Sequence, residues 1–96
     1  YRKTLETRPD LAGAHYNLGN ALSDKGQLDE AIEEYRKAIE IRPDDADTHN
    51  NLGNALYEKG QIDEAIGAYE KFIRYAPSQY AAHVEKVKEN LRQLKA

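Results

Sequence analysis

An all-α solenoid of stacked antiparallel helix hairpins is predicted by three observations: a 34-residue period, helix start and stop signals that recur in one phase, and apolar residues at helical spacing. Sliding the 96-residue sequence along itself gives one dominant offset, residues 12–45 over residues 46–79, at which 19 of 34 positions are identical. The shared text, A-x-x-H-x-N-L-G-N-A-L-x-x-K-G-Q-x-D-E-A-I-x-x-Y-x-K-x-I-x-x-x-P, is long enough for two helices and a turn. The register continues past both ends. Residues 1–10 lie over residues 35–44 with 7 of 10 identical, whereas residues 80–96 start in phase and then place Lys86-Val87-Lys88 where Leu18-Gly19-Asn20 stands. The expected organisation is one domain: the second helix of a truncated repeat over residues 1–11, whole repeats at 12–45 and 46–79, and a capping helix over 80–96. The chain opens on Tyr1 and contains no methionine, so a segment of a longer polypeptide is expected.

Taken in order, the lone helix over residues 1–8 should end at Pro9, because the residue before a proline is pushed out of helical geometry. Asp10, Asp44 and Ser78 each follow a proline and can accept from the free amides of a first turn, so three helices are expected to start there. Lys25-Gly26 and Lys59-Gly60 should end the first helix of each pair, glycine entering the left-handed region without a Cβ clash. Asp29-Glu30 and Asp63-Glu64 place acids in the first turn of the second helix, which Pro43 and Pro77 close. The apolar spacing sets Ala14, Leu18, Ala21 and Leu22 against Leu28, Ala31, Ile32, Tyr35 and Ile39. Gly19, Gly53, Ala31, Ala65 and Ala38 allow close helix approach, with Tyr35 and Tyr69 filling the spaces between. On the last helix Tyr80, Val84, Val87, Leu91 and Leu94 form one apolar stripe, and Lys86, Glu89, Arg92 and Lys95 are expected to shield its outer face.

Composition narrows the function. Seventeen acidic against 14 basic residues give a net charge of −3, which offers no broad positive field for a phosphate backbone, and nucleic acid is not expected as a partner. No apolar run approaches the roughly 20 residues of a membrane span, so no membrane partner is expected. The absence of cysteine removes disulfides and thiolate chemistry and leaves the compartment open, cytoplasmic being preferred over secreted.

These repeats resemble the tetratricopeptide repeat, whose 34-residue pattern is aromatic-x2-Leu-Gly-x2-aromatic, Ala-x3-aromatic and Pro. The first repeat matches through His15, Leu18, Gly19, Leu22, Gly26, Ala31, Tyr35, Ala38 and Pro43. The second matches through His49, Leu52, Gly53, Leu56, Gly60, Ala65, Tyr69, Phe72 and Pro77. Histidine stands for the usual tryptophan, leucine for the first tyrosine, and Phe72 for a small alanine, where it is expected to fill space under the cap. The resemblance implies a right-handed superhelix whose first helices line a concave groove, and a scaffold that binds proteins or peptides there.

The groove is then expected to present Tyr16, Asn17, Asn20, Ser23 and Asp24 from the first repeat and Asp47, Asn50, Asn51, Asn54, Tyr57 and Glu58 from the second. An asparagine amide both donates and accepts, so it can pair with the backbone of an extended ligand without reading its side chains. Asn17 and Asn51 resemble rungs of the asparagine ladder in the superhelical domain of O-linked N-acetylglucosamine transferases; Glu85 stands at the third rung. Asn17 and Asn51 have an equal claim to stitching neighbouring helices together, whereas Asn20 and Asn54 are expected to face ligand. The family's carboxylate clamp requires a basic residue where Tyr16, Ala81 and Glu85 stand, so the expected ligand is a neutral or basic segment and not an acidic tail.

No catalytic residues and no cofactor are expected. Ser23 and Ser78 have no base partner, and Gly19 and Gly53 lie inside helices instead of before them, where phosphate loops need them. His15, His49 and His83 recur every 34 residues, but equivalent helices stand about 8–10 Å apart, whereas zinc ligands lie about 2 Å from their metal; stacking between hairpins is the expected use. The open amino end predicts self-association of the chain. The alternatives to peptide binding are a structural element that stacks end to end and a substrate-presenting arm of a larger enzyme.

Overall fold

The structure, a computed structural model, describes the backbone of residues 2–96 and the side chains of residues 11–96. It contains five α-helices: α1 Arg2–Asp24, α2 Leu28–Ile41, α3 Ala46–Lys59, α4 Ile62–Tyr75 and α5 Ala81–Lys95, with a 3-10 turn at Ser78–Tyr80 before the last. Each helix packs on the next in sequence, and the first helices α1 and α3 also touch, so the chain is an all-α solenoid of stacked hairpins.

The turns inside the hairpins follow from glycine. Gly26 and Gly60 take φ of 79° and 91°. Behind each, the Gln27 and Gln61 amides reach back to the Leu22 and Leu56 carbonyls, both at 2.9 Å, satisfying groups the helix end would leave unpaired. Within the hairpins the aromatic ring of the second helix lies against a glycine of the first: a methyl on Gly19 would stand 2.6 Å from Tyr35 Cε1, and one on Gly53 2.7 Å from Tyr69 Cε1. The core gathers Ala31, Ile32, Tyr35, Leu52, Ala55, Leu56, Ala65, Tyr69, Phe72, Val87 and Leu91. Tyr80, Val84 and Leu94 complete the stripe of α5 against it. Phe72 lies under the cap as expected, edge-on to His83 at 5.1 Å and stacked with Tyr80 at 6.3 Å.

The helix expected over residues 1–11 falls, for residues 1–10, outside the described residues. Three other local expectations change. Asp44 does not cap α3. Asp45 takes that position, and its carboxylate accepts from Thr48 Oγ1 at 2.5 Å. Ser78 opens the 3-10 turn without a side-chain cap, because the chain must step from α4 to α5 before a helix can start. Finally, Ala14, Leu18 and Ala21 are exposed on α1, while their equivalents Thr48, Leu52 and Ala55 are buried on α3. Helix α2 covers α3, and no second helix covers the corresponding face of α1 among the described residues.

Candidate functional site

Stacking puts the first helices side by side, and the residues they present between them form a chain of clefts. The first, about 380 Å³, is lined by Asn20, Ser23 and Asp24 of α1, Tyr35 of α2, and Asn51, Asn54 and Glu58 of α3. The next, about 110 Å³, joins Asn50, Asn54 and Tyr69 to His83, Lys86, Val87 and Asn90 of α5. A third, about 230 Å³, lies between Tyr57, Tyr69, Asn90, Gln93 and Leu94. Thus eight of the eleven expected groove residues, Asn20, Ser23, Asp24, Asn50, Asn51, Asn54, Tyr57 and Glu58, line this surface.

The other three stand apart from the clefts. Tyr16 is half-buried at the junction of the repeats, its ring 6.3 Å from that of Tyr35. Asp47 accepts from the Tyr80 hydroxyl at 3.3 Å, tying α3 to the segment before α5. Asn17 is exposed and lines none of these clefts.

The asparagines are wired to the scaffold on one side. Tyr35 OH donates to Asn20 Oδ1 at 2.6 Å, and Tyr69 OH donates to Asn54 Oδ1 at the same distance. Asn51 Nδ2 donates to Asn20 Oδ1 at 2.9 Å and to Tyr16 OH at 3.1 Å, bridging the two repeats. Asn51 therefore does stitch helices, as one of its two expected roles required. Asn20 and Asn54 have their carbonyls occupied by buried tyrosines, so what they offer the cleft is the amide Nδ2. Sequence reasoning assigned those two to ligand contact and missed the Tyr35 and Tyr69 hydroxyls that orient them. Each tyrosine follows its asparagine by 15 residues, a separation that points to no contact until the two helices are packed together.

Electrostatics in the first cleft are acidic. Burial first, and then the field of Tyr16, Asp24 and Glu58, pushes the Tyr35 hydroxyl up to about 12. Tyr69 is raised too, by burial first and then by Tyr57 and Glu58. Both phenols stay protonated donors, which is what their asparagine partners require.

The α5 side differs from expectation. The repeat register would direct Ala81 and Glu85 into the groove, but α5 buries the face of Val84, Val87 and Leu91, and this turns His83, Lys86 and Asn90 to the cleft instead. Glu85 pairs with Lys88 on the exposed side at 3.5 Å, and Arg92 pairs with Glu89. Lys86 was expected on the shielding outer face. His83, Lys86, Asn90 and Gln93 stand one position before Val84, Val87, Leu91 and Leu94, so the stripe itself located them once the 34-residue register was set aside.

The three histidines have separate partners. His15 Nδ1 lies 2.7 Å from Glu34 Oε1, and the bond from His15 is the leading reason the Glu34 carboxyl is held below its ordinary range. His49 is buried, stacks on Tyr75 at 5.6 Å, and its Nε2 lies 2.8 Å from the Pro43 carbonyl. His83 packs on Phe72. Among the described residues no three His, Cys, Asp or Glu side chains converge as a metal site would require, and no helix is long and apolar enough to cross a membrane.

Three family models match the chain: one described as TPR repeat over residues 19–60, and two described as tetratricopeptide repeat over residues 46–79 and 1–33. No curated protein matches it.

Proposed function

We propose that this chain, which belongs to the tetratricopeptide repeat family, binds an extended peptide or protein segment along the clefts of α1, α3 and α5. Repeats of this family generally mediate protein–protein interaction and are typically non-catalytic scaffolds. The observation that carries the reading is the first cleft, where Asn20 and Asn54 are held by Tyr35 and Tyr69 so that their amides are already oriented toward an incoming chain. Preorientation lowers the entropy lost on binding. Asp24 and Glu58 on the same cleft suit a segment that is neutral or basic where it crosses them.

The test is a titration followed by NMR on the asparagine side-chain amides. An alternating Lys-Ala peptide is expected to shift the Nδ2 resonances of Asn20 and Asn54, and an alternating Glu-Ala peptide to leave them in place. Asp24→Asn with Glu58→Gln should weaken the first interaction several-fold without loss of helicity, since both carboxylates are exposed. Silence of every groove amide toward both peptides would reject the reading. A second reading, self-assembly through α1, is favoured by one observation, the exposure of Leu18 at 47%.

A further inference from the structure

Ser23 and Tyr57 hold the same place in two repeats, 34 residues apart, and the clefts they line differ in chemistry. The cleft between α1 and α3 takes Ser23 together with the carboxylates of Asp24 and Glu58. Its counterpart between α3 and α5, about 230 Å³, is lined by Tyr57, Tyr69, Asn90, Gln93 and Leu94, none of them an aspartate, glutamate, lysine, arginine or histidine. The small cleft beside it holds His83 and Lys86. Tyr57 is 49% exposed, and Leu94 is only half-buried against the core. A ligand group that covers such side chains takes apolar area out of water on both partners, and aromatic residues in concave sites are where binding energy concentrates.

The uncharged cleft adjoins the acidic one. Tyr57 and Glu58 are consecutive on α3, and consecutive helix residues point about 100° apart. Glu58 therefore enters the cleft on the α1 side and Tyr57 the cleft on the α5 side. The two clefts flank one helix, so their centres stand about one helix spacing apart, roughly 8–10 Å. A chain extended as polyproline II rises about 3.1 Å per residue and returns a side chain to the same face every three residues, which places residues three apart at about 9 Å. That conformation makes no internal hydrogen bonds and leaves the ligand backbone open to the exposed amides of Asn54, Asn90 and Gln93.

We infer that the cleft of Tyr57, Gln93 and Leu94 takes a large apolar side chain of a segment whose basic side chain, three positions away, lies against Asp24 and Glu58. The inference rests on the peptide-binding reading and adds to it a second anchor, supplied in part by the capping helix. Helix α5 then has two tasks on two faces: Val87 and Leu91 are buried and close the core, while Asn90 and Gln93 are exposed and select the ligand.

Three end-blocked peptides test it, each symmetric about a central lysine so that either direction of binding is served. They are Phe-Ala-Ala-Lys-Ala-Ala-Phe, the same peptide with alanine for phenylalanine, and the same with lysine for phenylalanine. On the native chain the phenylalanine peptide should bind about tenfold tighter than the alanine peptide, the gain from partly burying one ring. It should also shift the side-chain amide resonances of Asn90 and Gln93, which the alanine peptide leaves in place. Equal affinities, with Asn20 and Asn54 shifted by both peptides, would overturn the inference and leave groove binding standing. Shifts of Asn90 and Gln93 by the lysine peptide equal to those by the phenylalanine peptide would also overturn it, because the cleft would then take a cation on the Tyr57 ring. Tyr57→Ala, at an exposed position, should bring the phenylalanine-to-alanine affinity ratio close to unity, while Tyr57→Phe keeps it, with helicity of both variants checked by circular dichroism. A ratio unchanged in Tyr57→Ala puts the apolar side chain elsewhere and sinks the inference. Silence of every groove amide toward all three peptides rejects the peptide-binding reading itself, and the inference with it.

Discussion

The two whole repeats share 19 of 34 residues, yet their first helices live in different surroundings. In α3 the face of Thr48, Leu52 and Ala55 is buried under α2, and in α1 the face of Ala14, Leu18 and Ala21 is exposed. The opposite faces do not differ: Gly19 meets Tyr35 as closely as Gly53 meets Tyr69. The glycine–tyrosine and asparagine–tyrosine contacts within a hairpin are thus made twice over in the same way, and contacts between hairpins are made only where a neighbour exists. In a stacked array, stability divides into these two kinds of contribution. A residue's worth depends on which of the two it serves.

The sharpest way to break that comparison is to truncate the matched leucines. Leu52→Ala should cost about 2–5 kcal/mol, the usual range for a buried leucine, and Leu18→Ala less than about 1 kcal/mol in the monomer; urea denaturation at low concentration measures both. Equal losses would show that α1 is covered in solution even when dilute. Next come the glycines. Gly19→Ala and Gly53→Ala each force a tyrosine ring to move, at a cost of about 1–3 kcal/mol, and the two losses should be alike because the hairpin interior is the same in both repeats.

Asparagine truncation follows. Asn20→Ala and Asn54→Ala each deprive a buried tyrosine hydroxyl of its acceptor, at about 1–3 kcal/mol, with Asn20 the larger because it also accepts from Asn51 across the repeat boundary. The smallest effect is alkaline. Tyr35 is raised from 10.0 to about 12 in the folded chain. The unfolded chain therefore gives up its proton first, so stability is full below pH 10 and falls as pH rises toward about 12. Tyr35→Phe should reduce that fall, and thermal melts across the interval measure it.

Much of this was legible in the residues. The period, the left-handed glycines at 26 and 60, the close approach at Gly19 and Gly53 and the stripe of α5 all follow from chemistry local to one helix or one turn. Most of the groove was legible too, since Asn20, Asp24, Asn51, Asn54 and Glu58 repeat in phase. Two features were not. The tyrosine–asparagine bonds join residues 15 apart, and no propensity or spacing rule connects them until the helices are folded together. The rotation of α5 was hidden because register with the earlier repeats and burial of its own apolar stripe give different faces. Burial decides between them, which turns Lys86 and Asn90 to the groove and leaves Glu85 outside.

By itself the sequence determined the hairpins: where glycine lets the chain reverse, and which apolar spacing lets two helices close on each other. Only the tertiary structure decided what each identical residue is worth. Leu18 and Leu52 carry the same side chain on the same helix position, and a neighbouring helix removes one from water and not the other. The physical reason is that burial is a property of what lies across the interface, and a local sequence carries only half of any interface.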